Sequence, residues 1–241
     1  MERTATGLYS FLASYRYRVL IPAFELARRR LESTVITVGR EPGTVERVRE
    51  PLKGVDVAVF SKLFDATPIQ PELMRITREE GARMIVDICD DFDHKYYAEQ
   101  YRASVRAADA VSTSSAFLAG RIAEMTGRRA TIIQDPCEFP RRDARWSPRA
   151  PLEALWFGSS TNISGLDKAV PALARSGIPM RLVVVTRQDD SVTRWERDAR
   201  PVLPPTIALE IREWSLPATE QALNECDIVV LAINRESRYY Y

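Results

Sequence analysis

Short β-branched or apolar runs alternate along this chain with segments whose apolar residues recur at helical spacing. That alternation constrains the fold more than any other feature of the sequence. The runs cover residues 33–38 (S-T-V-I-T-V), 55–60, 83–87, 110–113 and 131–133, then 155–157, 180–185, 207–211 and 227–233. Residues 6–12 alternate weakly and add a candidate first strand. Helices are expected between them over residues 19–30, 45–52, about 68–81, 95–108, 115–125, 166–175 and 219–225. Strand, helix, strand, helix predicts an α/β fold with parallel sheets covered on both faces.

Residues 139–151 break the pattern. They hold three prolines and four arginines with no periodicity, and read as a linker. The expected organisation is a Rossmann-like domain over residues 1–138, this linker, and a second Rossmann-like domain over 152–241.

Composition narrows the function classes. The 241 residues carry a formal net charge of +1, which leaves no electrostatic footprint for nucleic acid. No apolar run reaches the roughly 20 residues of a membrane span, and the N-terminus has no secretory pattern. Cys89, Cys137 and Cys226 form no CxxC pair and no zinc spacing, which fits a reducing cytoplasm. With one histidine, His94, a His-rich metal site is excluded, while carboxylates remain able to hold Mg²⁺ or Mn²⁺.

Chemistry-bearing residues concentrate at strand ends. The apolar run Met84-Ile85-Val86 turns acidic at Asp87, Asp90, Asp91 and Asp93, and His94 follows at once. In open α/β sheets, ligands sit outside the carboxyl ends of the strands. Asp90, Asp91 and His94 are therefore the candidate catalytic residues, able to act as general base on a hydroxyl. Spacing alone leaves metal ligation and helix capping equally open. In the second half, Gly158-Ser159-Ser160 follows a strand and precedes a helix. A glycine there lets backbone N–H groups approach a phosphate, or simply makes a turn. Tyr15-Arg16-Tyr17-Arg18 reads as a polar, aromatic connection, lining an acceptor pocket or packing on the surface. Arg28-Arg29-Arg30 suits the negative end of a helix. No G-x-G-x-x-G follows any strand, which argues against a dinucleotide-binding enzyme.

Several segments in order resemble the bacterial glycosyltransferases of the GT-B, "group 1" (family 4-like) type. They are residues 14–27 (S-Y-R-Y-R-V-L-I-P-A-F-E-L-A), 56–62 (D-V-A-V-F-S-K), 86–91 (V-D-I-C-D-D) and 107–115 (A-A-D-A-V-S-T-S-S). Residues 155–162 (L-W-F-G-S-S-T-N), 213–215 (E-W-S) and 226–231 (C-D-I-V-V-L) continue the series. The resemblance implies two Rossmann-like domains facing across a cleft, with the acceptor on the first and a nucleotide sugar on the second. By position, Gly158 and Ser159 resemble the turn that approaches the donor diphosphate, and Arg187 follows the next strand. The stretch from Asp90 to His94 would hold the acceptor hydroxyl. The resemblance implies no metal and no cofactor beyond the nucleotide-sugar substrate.

One departure stands out. The family continues past the strand matching residues 227–231 with a helix carrying two glutamates that hold the donor. Here the sequence runs N-R-E-S-R-Y-Y-Y, and Glu236 has no counterpart. The second domain is expected to be incomplete, with the remainder absent or supplied by a partner chain or a second copy. A non-catalytic binding or partner subunit of the same ancestry is the alternative expectation.

Overall fold

The computed structural model describes residues 13–38, 43–61, 69–91, 98–140, 143 and 150–232. The chain forms two compact units, one ending at Glu138 and the other beginning at Phe139.

The first unit opens with α1 (Ala13–Tyr15), a π-helical turn (Arg16–Leu20) and α2 (Ile21–Arg28), followed by α3 (Thr44–Leu52). Then come β1 (Val57–Ser61), α4 (Ile69–Glu79), β2 (Arg83–Ile88), α5 (Ala98–Ala107), β3 (Ala110–Thr113), α6 (Ala116–Thr126) and β4 (Thr131–Ile132). The strands are parallel and ordered β1-β2-β3-β4. Side chains alternate across a strand, so β2 sorts its residues cleanly. Met84, Val86 and Ile88 are buried with Tyr101 and Val105 of α5 and Ile122 of α6. Ile85 and Asp87 point to the opposite face. Helix α6 begins where Ser115 Oγ accepts from the Leu118 N–H at 3.3 Å, and stops where Gly127 takes φ 72°.

Three expectations need correcting in this unit. Residues 33–38 form no strand, although they are β-branched throughout. They run back beside the first helices: Ser33 Oγ donates to the Ala23 carbonyl at 3.1 Å, and Thr37 Oγ1 meets Tyr15 Oη at 3.4 Å. β-Propensity describes fit to a sheet surface, and without a ladder partner it makes no strand. Residues 13–18 are helical rather than a loop, and Arg16 and Arg18 are buried. Cover of the second sheet face is also partial, since Val57 and Val59 are 45% and 58% exposed. The candidate strand at residues 6–12 lies outside the described residues.

The second unit contains β5 (Leu152–Phe157), a 3-10 segment (Ser160–Gly165), α7 (Leu166–Arg175) and β6 (Met180–Thr186). It continues through α8 (Asp190–Ala199), β7 (Ile207–Glu213), α9 (Leu216–Glu225) and β8 (Ile228–Val229). All pairs are parallel, in the order β7-β6-β5-β8. Both faces are covered, as a parallel sheet requires. Ala154, Trp156, Leu182 and Val184 pack against α7 and α8 through Leu166, Val170, Val192 and Trp195. Leu155, Val183 and Val185 face Ala222 of α9. Within residues 227–232 the described strand is short, covering two residues of the run expected from the sequence.

Helix α8 has no counterpart in the sequence-based expectation. Its composition is strongly charged, and only Val192 and Trp195 are buried. The local start signal is Asp189, whose carboxylate accepts from the N–H groups of Ser191 at 2.9 Å and Val192 at 3.3 Å.

Candidate functional site

The carboxyl ends of the strands carry most of the residues singled out in the sequence, in each unit separately. In the second unit the chain winds from β5 to β6 to β7 on one side, then returns to place β8 on the other side of β5. The carboxyl end of β5 is therefore a topological switch point, where open α/β sheets bind ligands. Gly158 and Ser159 follow β5 directly. An added Cβ on Gly158 would stand 3.2 Å from the Trp156 ring, so the turn packs closely onto the indole. The neighbouring strand end holds the turn in place. Gly158 N–H donates to the Val185 carbonyl at 3.3 Å, and Thr186 Oγ1 donates to the Gly158 carbonyl at 2.9 Å.

This pairing brings Arg187, which is exposed and follows Thr186, to the same edge as Gly158. Ser159 begins the 3-10 segment, with its Oγ 3.4 Å from the Thr161 N–H it accepts from. Ser160 Oγ donates to Asp189 Oδ2 at 2.5 Å. That bond, with the donors from Ser191 and Val192, pulls the Asp189 carboxyl down to about 2. Glu213, at the end of β7, accepts from the Gln188 N–H at 2.9 Å. Asp189 is absent from the residues picked out by sequence, while Ser160 and Glu213 entered only as parts of quoted segments. Asp189 was legible as a helix cap, through the 192, 195, 199 spacing of Val192, Trp195 and Ala199 behind it.

In the first unit Asp90 and Asp91 lie just past the end of β2, half-buried and adjacent. Asp90 Oδ2 is 3.5 Å from Cys89 Sγ, and Asp91 Oδ2 is 3.4 Å from Arg121 Nε. His94 lies outside the described residues. Asp87 does not belong with these acids. It sits inside β2, buried, with Arg18 Nε and Nη2 donating to its two oxygens at 2.9 and 2.5 Å and Ser112 Oγ at 2.6 Å. Its oxygens are committed to an internal ion pair, so it is no solvent-facing base or metal ligand.

Arg18 also donates through Nη1 to the Ile133 carbonyl at 2.5 Å and to Asp135 at 3.2 Å. The hydrogen-bonded carboxylate raises the Arg18 pKa above its ordinary value. Two residues earlier, Arg16 pairs bidentately with Glu138, at 2.5 and 3.0 Å. Tyr17 between them is pushed up to about 12, chiefly by burial and then by Glu138. Beneath α2 lies a largely apolar cavity of about 480 Å³, bordered by Tyr17, Ile21, Pro22, Val59, Ile85 and Ile133. Among the described residues no group of three or more His, Cys, Asp or Glu is arranged to hold a metal ion. Among them, too, no helix is long and apolar enough to cross a membrane.

Two Rossmann-like units of parallel strands in one chain, the second with a glycine turn at its switch point, define the GT-B glycosyltransferase fold. Solved structures with this fold include TarM, at TM-score 0.56 and 11% identity over 77% of this chain and 38% of TarM. A variant of S. aureus TarM in complex with fondaparinux, α-GlcNAc-glycerol and UDP matches at 0.54 and 10% identity, over 77% of this chain and 38% of that one. A glycosyltransferase from Rickettsia africae matches at 0.50 and 13% identity, over 80% of this chain and 57% of that one. The chain thus spans well under half the length of TarM. No protein-family model matches the sequence, and no curated protein matches it either.

Proposed function

We propose that this protein acts in the transfer of a sugar from a nucleotide-sugar donor to a hydroxyl acceptor. The observation that carries this is the glycine turn at the switch point of a GT-B-type second unit. A UDP complex of S. aureus TarM, which shares the fold, supports a nucleotide as the ligand class. The N–H groups of residues 159–161, at the head of the 3-10 segment and α7, are the donors for the diphosphate. The helix dipole adds to them. Arg187 supplies a positive charge from the next strand end. Asp90 and Asp91, with His94, are the groups that orient the acceptor hydroxyl and take its proton. Neither a metal nor a further cofactor has a role in this scheme, and the site of action is the cytoplasm.

Calorimetric titration with UDP, GDP and their sugars is the direct test. A dissociation constant in the micromolar to millimolar range for one nucleotide, lost in Gly158→Val, supports the assignment. Absence of heat with every nucleotide removes donor binding by this chain alone.

A further inference from the structure

Strand β6 ends in a threonine after three valines, Val183-Val184-Val185-Thr186. All four are buried, Thr186 completely. Threonine has nearly the shape of valine, so what distinguishes it here is the hydroxyl. A buried hydroxyl costs free energy unless it finds a partner. Thr186 Oγ1 finds one in the turn after β5, where it donates to the Gly158 carbonyl at 2.9 Å. The Gly158 N–H donates to the Val185 carbonyl at 3.3 Å, so both polar groups of Gly158 are tied to the end of β6. In a planar trans peptide the C=O and the next N–H point in opposite directions. With the Gly158 carbonyl held towards Thr186, the Ser159 N–H is turned away from it. That N–H makes no hydrogen bond among the described residues.

The other end of the turn is fastened from a different element. Ser160 is buried, and its Oγ donates to Asp189 Oδ2 at 2.5 Å. The second oxygen of that carboxylate accepts from the Ser191 and Val192 N–H groups, at 2.9 and 3.3 Å, at the head of α8. Helix α8 is itself seated in the core through Val192 and Trp195, and Trp195 Nε1 donates to Asp167 of α7 at 2.9 Å. Neither the Thr186 bond nor the Ser160 bond belongs to a strand ladder or caps a helix. What both do is fix peptide planes. Donors held in place before a ligand arrives spare it the cost of ordering them.

Resting on the donor-site reading above, we infer that Thr186 and Ser160, the latter through Asp189, are positioning residues for the donor diphosphate. Their side chains touch no ligand. They hold residues 158–160 from two sides so that the N–H groups of the turn converge on phosphate oxygens. Their effect is therefore on the diphosphate and not on the nucleoside.

The test is calorimetry on the full chain, comparing Kd for UDP and GDP with Kd for UMP and GMP. The ratio of the monophosphate to the diphosphate constant reads the second phosphate alone, and any unfolded fraction cancels from it. The wild-type protein is expected to bind one diphosphate more tightly than its monophosphate. Thr186→Val keeps the shape and removes the hydroxyl, and Ser160→Ala removes the other tie. Each is expected to lower the ratio roughly fivefold, the usual worth of one hydrogen bond. Thr186→Ser, which keeps a hydroxyl, is expected to restore it. A merely structural role would move the thermal midpoint and leave the ratio where it was. An unchanged ratio in either variant strikes that residue from the assignment, and an unchanged ratio in both overturns the inference while the donor site stands. Absence of binding by the wild-type chain removes the donor site and the inference with it.

Discussion

Arg18 and Asp87 are separated by 69 positions in the sequence, yet they share two hydrogen bonds, at 2.9 and 2.5 Å. Both side chains are 4% exposed. The pair fastens the first helices to the middle strand of the first sheet, and Ser112 on the next strand completes the coordination of the carboxylate. Removing one partner leaves the other charge buried and uncompensated, which typically costs about 3–5 kcal/mol. Arg18→Met is therefore expected to lower the urea midpoint of the first unit strongly. Arg18→Met combined with Asp87→Leu is expected to recover much of that loss. A double variant as unstable as the single one would show that the pair is worth more than its charges.

The two glycines Gly120 and Gly165 should respond to alanine with opposite signs. Gly120 lies inside α6, where an added Cβ meets nothing within 4 Å. There alanine gains helix propensity, about 0.5–1 kcal/mol. At Gly165 the same Cβ would stand 2.5 Å from the Ala232 carbonyl oxygen, so backbone would have to shift. Gly165→Ala is expected to cost roughly 1–3 kcal/mol, the usual range for overpacking. Differential scanning calorimetry of the two variants reads both signs.

Acid should act on the second unit through Asp189. Its folded value of about 2 lies below the value near 3.9 of an unfolded aspartate. The stabilisation it brings is complete above about pH 4 and is lost as pH falls from there towards 2. Asp189→Asn is expected to flatten the stability curve in that window, measured by urea unfolding at stepped pH, and to leave the slope above pH 5 unchanged.

Base should act on the first unit through Tyr17. Here the folded value, about 12, is above the ordinary value near 10, so the folded state favours the neutral phenol. Its contribution is complete below about pH 10 and is lost as pH climbs to 12. The ultraviolet titration of the nine tyrosines should lose a late component in Tyr17→Phe.

The two candidate sites predict separable defects. Gly158→Val pushes a side chain against Trp156 and into the turn, so nucleotide affinity should fall tenfold or more while the first unit is untouched. Asp90→Asn should leave nucleotide binding intact and lower sugar transfer, by something like 10²-fold if Asp90 takes the proton. Parallel calorimetry and transfer assays distinguish them. A loss of nucleotide affinity in Asp90→Asn would contradict the division of labour.

Much of the architecture was written locally. The bounds of α7 and β3 follow from periodicity and neighbouring turn residues, and Ser115 and Gly127 mark α6 because capping and left-handed backbone are properties of the residues themselves. The positions of Gly158 and Arg187 at strand ends were readable for the same reason. Residues 33–38 show the limit. Their β-branched side chains suit a strand, but a strand exists only where another offers its backbone, and no partner is formed there. Arg16 and Arg18 show it again. An arginine is soluble by default, and these two are buried only because Glu138 and Asp87, remote in sequence, meet them in space. Periodicity and capping thus determined which segments become helix or strand. The meeting of distant charges, and whether a β-branched run finds a neighbour, were decided by the tertiary structure, because burying a charge or completing a ladder depends on groups that only folding brings together.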